Sequence, residues 1–386
     1  MPGFELIGQE ELEQVKQVFE KSGVLFRHGF DKQRNGIYKV LEFEDAFAKR
    51  MGVGGALAVT SGTAALRVAL AALGINRDDE VITQSFTFVA TVEAIIEAGA
   101  RPVITEIDKT LNMDPEDLER KISGRTKAII VVHMLGVPAQ LDRIMQIADR
   151  HRLPVIEDTA WGCGGRFHGQ HLGTIGTMGT FSFDFAKTLT SGEGGMVVSN
   201  NPGLLARARA WHDHGHENNP ALPRWEDSRS GSGFNYRMME LQGAVGLAQL
   251  AKLDFVIERQ RANKRALKNV LADFTTVAFR ETPYGSEETA DAMVFYVKDN
   301  ATARRCREAL VQAGLGTKIL PEAITWHFAG TWNHMPALVA ANRGDLSRAF
   351  PQSKALLDCA VALPIMVNMD PQNPRRVFEA LRPVLS

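Results

Sequence analysis

The stretch GALAVTSGTAALRVALAALG, residues 55 to 74, reads as a short strand, a tight turn and an apolar helix. The same alternation continues down the chain. DEVITQSF (79–86) is a strand entering a loop, and TFVATVEAIIEAGA (87–100) is a helix. RPVITEID (101–108), TKAIIVVHMLG (126–136) and LPVIEDTA (153–160) read as strands, separated by the helical segments DPEDLERKI (114–122) and QLDRIMQIADRH (140–151). Strands rich in Val and Ile that alternate with helices predict an α/β fold with a mostly parallel sheet covered on both faces.

The flanks fit around that unit. Residues 8 to 22 have helical periodicity, which would set Leu12, Val15, Val18 and Phe19 on one side. A second helix covers VLEFEDAFAKRMG, and GGMVVSN and NPGLLARARAWH add a strand and a helix after residue 193. Residues 213 to 238 are polar, long and rich in Gly and Pro, which suits a segment that covers a site. Residues 239 to 273 form the longest helical region. It is expected to cross from a large domain, residues 1–250, into a smaller C-terminal α+β domain, residues 251–386. Strand signals in that second part lie at AMVFYVKD and CAVALPIM, and helices at ATARRCREALVQAG and NPRRVFEALRPVL.

Composition narrows the function. A chain of 386 residues, 45% of them hydrophobic, can bury a core for two unequal domains. A net charge of -1 argues against a nucleic-acid surface. Three scattered cysteines supply neither a disulfide framework nor a thiolate metal site. The polar start MPGFELIGQEELEQV has no secretory signal, and the apolar runs are too short to span a membrane, so a soluble cytoplasmic protein is expected.

Three constellations carry chemistry. In TSGTAAL, Ser61, Gly62 and Thr63 stand where a strand gives way to a helix. The amides of Thr63 and Ala64 suit a phosphate there, although Ser and Thr before a helix also serve as plain caps. In VIEDTAWG, Glu157 and Asp158 close a buried-looking strand, at the edge where α/β sheets bind ligands. In GTFSFDFAKTLTSGEGG (179–195), Phe181, Phe183 and Phe185 alternate up to a single lysine, Lys187. Apolar surroundings lower a lysine pKa and free its lone pair, whereas a structural lysine would snorkel to the surface. Phosphate cradle, strand-end carboxylate and reactive lysine together are the contacts that pyridoxal 5'-phosphate needs.

The motifs TSGTAAL, SFTFVATVEAI, VIEDTAWG, FSFDFAKTLTSGEGG and GFNYRMMELQGAVGLAQL, in this order, resemble those of the DegT/DnrJ/EryC/StrS family of pyridoxal-phosphate sugar aminotransferases, of fold type I. The resemblance implies that the Thr63 and Ala64 amides and Ser182 hold the phosphate. Phe88 would lie over the pyridine ring, Asp158 would pair with its nitrogen, and Lys187 would form the Schiff base. Asn235 would reach the phosphate of a neighbouring subunit, which implies a homodimer with shared active sites. Trp161 stands where relatives carry Gln or His. Arg27, His28 and Lys318 are candidates for a substrate carboxylate or diphosphate. His212 and Trp225 would line the sugar pocket, and Trp326 and His327 look specialised. The histidines of HDHGH lack a fixing element, so no metal is expected. The implied reaction is transamination from glutamate. The expected acceptor is a 3-deoxy-octulosonate oxidised at C8, a lipopolysaccharide sugar, with a nucleotide-linked keto sugar as the alternative. A dehydratase of this family would have histidine in place of Lys187, and a non-catalytic sensor would not need the three contacts.

Overall fold

The repeated strand-turn-helix unit builds a seven-stranded sheet in the computed structural model, which describes residues 3–386 apart from Pro220, Ser230 and Arg343. Its strands are β1 (Gly55–Val59), β2 (Glu80–Gln84), β3 (Arg101–Thr105), β4 (Thr126–Val132), β5 (Val155–Asp158), β6 (Met178–Ser182) and β7 (Gly195–Ser199). They lie in the order β1-β7-β6-β5-β4-β2-β3, and only β7 runs against its neighbours. The central strands are apolar on both faces, so helices have to cover both.

Alternation along each strand decides which helices it meets. Helices on one face are α3 (Gly62–Ala72), α4 (Val89–Glu97) and α6 (Pro202–Trp211); on the other are α2 (Lys39–Met51) and α5 (Leu141–His151). Leu57 and Val59 of β1 pack with Val68 and Ala208 of the first group. Ala56 and Ala58 point the other way, toward Phe43 and Phe47 of α2. Phe47 meets Phe181 edge to face, with ring centroids 4.9 Å apart. Such a pair adds about 0.5–1.5 kcal/mol beyond its area.

A second, three-stranded antiparallel sheet contains β8 (Ala278–Phe279), β9 (Ala292–Tyr296) and β10 (Ala360–Pro364). The same period of two operates. Ala292 and Val294 join the cluster that holds Phe86, Trp161 and Trp332. Met293 and Phe295 pack instead against α9 (Asn300–Gln312) and α10 (Asn373–Leu385). Two-residue strands at Arg166–Phe167, Gln170–His171 and Ser286–Glu287 form a further small sheet that periodicity is too short to reveal.

Two helical expectations need correction. The first helix, α1, spans only Gln9–Gln17, and a π-helical turn follows at Val18–Ser22. Leu12 and Phe19, seven residues apart, share the outward side and are 47% and 59% exposed, while Glu11 and Val18 share the buried one. Polar anchoring replaces the missing apolar stripe. Buried Glu11 accepts hydrogen bonds from Gln249 at 2.9 Å and Lys252 at 2.8 Å. The long region after residue 239 is two helices, α7 (Glu240–Ala251) and α8 (Leu253–Leu271), which meet at that same Lys252. Among the described residues, 213–238 hold isolated bridges and neither helix nor strand. Among the described residues no helix is long and apolar enough to cross a membrane.

The sheet brings three chain segments together at Gly195. It pairs with Val59 on one side and Ser182 on the other. A side chain here would overlap the Ser61 carbonyl, which is backbone and has no room to yield. Gly195→Ala is therefore expected to destabilise the fold by about 1–3 kcal/mol, as overpacking does. Urea unfolding should show a lower midpoint at unchanged slope. An unchanged midpoint would mean that this close approach constrains nothing.

Candidate active site

The carboxyl ends of β1, β4, β5 and β6 open on a cavity of about 350 Å³. This is the usual ligand edge of an α/β sheet. Ser61, Gly62, Thr63, Phe88, Asp158, Trp161, Ser182, Lys187 and His327, all singled out from the sequence, line it.

At the foot of the cavity stands the N-terminus of α3. Ser61 caps it, its hydroxyl accepting from the Ala64 amide at 3.0 Å. This corrects one expectation: the Ala64 amide is already taken. The amides of Gly62 and Thr63 donate to no protein acceptor among the described residues, and they face the cavity end of the helix dipole. Gly62 has no side chain to hold off Ser182. A Cβ there would lie 2.7 Å from the Ser182 Cβ. Free amides, a hydroxyl and a dipole in one corner make a place for a phosphate.

Two adjacent carboxylates end β5 and face opposite ways. Glu157 is satisfied structurally, by the amides of Gly173, Ile175 and Gly176 at 2.8, 2.7 and 2.6 Å and by the His133 ring at 3.0 Å. Asp158 points to the cavity. It accepts from Thr91 Oγ1 at 2.8 Å and from the Ala160 amide at 3.2 Å, but has no ion-pair partner among the described residues. Burial pushes its pKa up, with those hydrogen bonds opposing. A buried carboxylate of this kind is expensive without a cation, and the N–H of a protonated pyridine supplies one. Thr91 was not foreseen, although SFTFVATVEAI contains it; it follows Phe88 by three residues in α4.

Lys187 sits on the loop after β6. Its carbonyl accepts from the Gly3 amide at 2.9 Å, so the N-terminal segment clamps the loop. Its Nζ lies 3.5 Å from the centroid of the Trp161 ring. Trp161 thus replaces a polar contact with an indole face, against which a cation is attracted by the ring quadrupole. Burial lowers the Lys187 pKa from 10.5 to about 8, with the Asp291 and Asp184 charges opposing the shift. Phe88 ends the loop before α4. Its ring lies 6.3 Å from Trp326, nearly parallel at 10°, and 5.4 Å from His327.

Several expected substrate residues lie elsewhere. Arg27 is buried, held by both Glu44 oxygens at 2.7 and 2.9 Å and donating to the Ala58 carbonyl at 3.0 Å. Its fork is spent on the fold and cannot hold a substrate carboxylate. Lys318 is likewise paired, 2.6 Å from each Asp291 oxygen, although its Nζ lies 4.8 Å from the Trp161 ring centroid. His28, His212, Trp225 and Asn235 are absent from the cavity wall. His212 is buried and donates to the Arg209 carbonyl at 2.5 Å, and burial drives its pKa well below the usual value. Trp225 is 85% exposed and Trp326 61% exposed. What organises the 213–238 segment is an aspartate. Burial opposes ionisation of Asp213, but the His28 ring 3.3 Å away and the Arg224 guanidinium hold its pKa far below the usual range, and Arg237 donates to it as a second guanidinium. Among the described residues no group of His, Cys, Asp and Glu is arranged to hold a metal ion.

The sequence profile of the DegT/DnrJ/EryC1/StrS aminotransferase family matches residues 7–382. The chain is 43% identical over 216 residues to the GDP-perosamine synthase of Caulobacter vibrioides, covering 56% of this chain and 57% of that one. It is 38% identical over 253 residues to the GDP-perosamine synthase of Vibrio cholerae, covering 62% and 64%. The match therefore spans less than two thirds of either relative. The sugar aminotransferase CalS13 from Micromonospora echinospora superposes with a TM-score of 0.84, at 28% identity, over 98% of this chain and 97% of that one. The fold is that of the pyridoxal-phosphate aminotransferases.

The residues present fit that cofactor: free amides for its phosphate, an unpaired buried carboxylate for its ring nitrogen, and a buried amine of lowered pKa for its aldehyde. Lys187→Ala is expected to cut turnover by several orders of magnitude, beyond the roughly 10²–10⁴-fold of general acid–base catalysis alone. Turnover near the wild-type rate would remove Lys187 from the reaction. The pH dependence is a second check. Only the neutral amine attacks an aldehyde, so recombination of the apoenzyme with pyridoxal phosphate should quicken as pH rises, with its midpoint near pH 8. A midpoint only near the ordinary lysine value of 10.5 would show that burial does not tune the amine.

Proposed function

The chain belongs to the DegT/DnrJ/EryC1/StrS aminotransferase family, and we propose that it moves an amino group from glutamate to a keto sugar carried on a nucleotide. The kinship to two enzymes named for a GDP-linked product carries this reading. The octulosonate acid expected from the sequence loses its physical argument, because the one guanidinium offered for its carboxylate, Arg27, is locked onto Glu44. An exposed, parallel pair of rings, Phe88 and Trp326, beside the cavity suits a flat ligand group.

Bound in this cavity, pyridoxal phosphate supplies an electron sink and a carrier for the amino group. The chain supplies the rest. The Gly62 and Thr63 amides with Ser182 anchor the phosphate. Asp158 keeps the ring nitrogen protonated, which in turn relieves the cost of burying the carboxylate. Lys187 Nζ, poised by burial, carries the proton between the carbons on either side of the transferred nitrogen. Trp161 closes the floor beneath that amine and excludes water. The working unit is a homodimer in which Asn235 of one protomer reaches the phosphate held by the other; its position outside its own cavity wall supports this.

The test offers the purified enzyme glutamate with either a GDP-linked 4-keto sugar or the C8-oxidised octulosonate. Release of 2-oxoglutarate and the mass of the aminated sugar are followed. Amination is expected with the nucleotide-linked ketone. Amination confined to the free sugar acid would overturn the proposal.

A further inference from the structure

A second cavity, of about 370 Å³, shares no wall residue with the first. One side is α8, which presents Arg261, Lys264, Arg265 and Lys268. Their spacing of three, four and seven residues puts all four on one helical face. The back wall is the β8–β9 region, with Arg280 and Phe279. Five cationic side chains thus converge on one cleft, against two carboxylates, Glu287 and Glu288.

Those carboxylates do not neutralise it. Glu288 pairs with Lys264 at 2.5 Å, and Glu287 lies 3.7 Å from Arg261. Arg265, Lys268 and Arg280 have no ion-pair partner among the described residues. Lys268 lies over the Phe279 ring, 5.1 Å from its centroid. Arg280 is the informative one. It is 9% exposed, its Nε donates to the Thr110 carbonyl at 2.5 Å and its Nη2 to Asn112 Oδ1 at 3.5 Å, and its Nη1 is buried with no acceptor. Burial pushes its pKa down to about 10, which still leaves it charged at neutral pH. A buried, charged guanidinium with one nitrogen unpaired is costly and is stabilised by an anion.

We propose that this cleft is a binding site for a small phosphorylated anion, with Arg280 as its rear donor, Arg265 and Lys268 as its rim, and Phe279 and Met293 as the apolar wall for any organic part. The reading is independent of the sugar acceptor.

The experiment uses holoenzyme whose cofactor has been fixed to Lys187 with borohydride, so that the catalytic phosphate corner is filled. Inorganic pyrophosphate and ribose 5-phosphate are titrated separately by calorimetry at constant ionic strength. The two titrants separate an inorganic ligand from an organic one, and saturable binding of either fits the proposal. Arg280→Met is expected to weaken binding by about tenfold or more, the loss of one charge-assisted contact. The surface double variant Arg265→Ala/Lys268→Ala should weaken it comparably and keeps the test open should Arg280→Met fail to fold. Absence of saturable binding of both titrants, or binding unchanged in the folded variants, would overturn the assignment.

Discussion

The carbonyl of Ser61 lies where a side chain on residue 195 would have to be, and the side chain of Ser182 lies where one on residue 62 would start. The site depends on these two absences. They let the ends of β1, β6 and β7 approach at backbone distance. The first helix amides and the Ser182 hydroxyl then share one corner. With larger residues the sheet would splay, and amides and hydroxyl would no longer converge on one ligand group. The phosphate corner is therefore a property of main-chain contact more than of side-chain chemistry.

Around that corner, burial acts in opposite directions on two groups. It raises the pKa of Asp158 and lowers that of Lys187. Both shifts disfavour charge, a cost that a cationic ring nitrogen beside Asp158 and a carbonyl carbon beside Lys187 would relieve. Trp161 contributes to both. It belongs to the apolar cluster that dries the cavity, and its ring face lies against the lysine amine. The floor of the site is held through the Trp161 backbone: the Thr289 side-chain hydroxyl donates to the Trp161 carbonyl at 3.1 Å.

The sequence makes the strand-helix alternation legible, because buried parallel strands need apolar residues on both faces. It also marks Asp158 and Lys187, whose positions at strand ends follow from that alternation. It does not show which polar groups are already spent. Arg27 and Lys318 resemble free cations until Glu44 and Asp291 arrive from 17 and 27 residues away. The histidine-rich loop draws attention to its imidazoles, yet the hub is Asp213, whose partners Arg224 and Arg237 lie across a segment with no regular periodicity. Leu12 and Phe19 look like the buried side of the first helix, yet the side that packs carries Glu11 and Val18, with Gln249 and Lys252 donating to the carboxylate.

Residues 287 to 291 line the basic cleft on one side and brace the floor of the catalytic cavity on the other. Glu287, Glu288 and Ala290 face the basic cleft, while Thr289 ties Trp161 and Asp291 holds Lys318. The connection thus has a reading frame. Deleting or inserting a single residue would turn a glutamate toward the floor of the catalytic cavity and take from Trp161 its main-chain tether. Its length is fixed from both sides, so this short stretch leading into β9 tolerates exchange of side chains more readily than any change in their number.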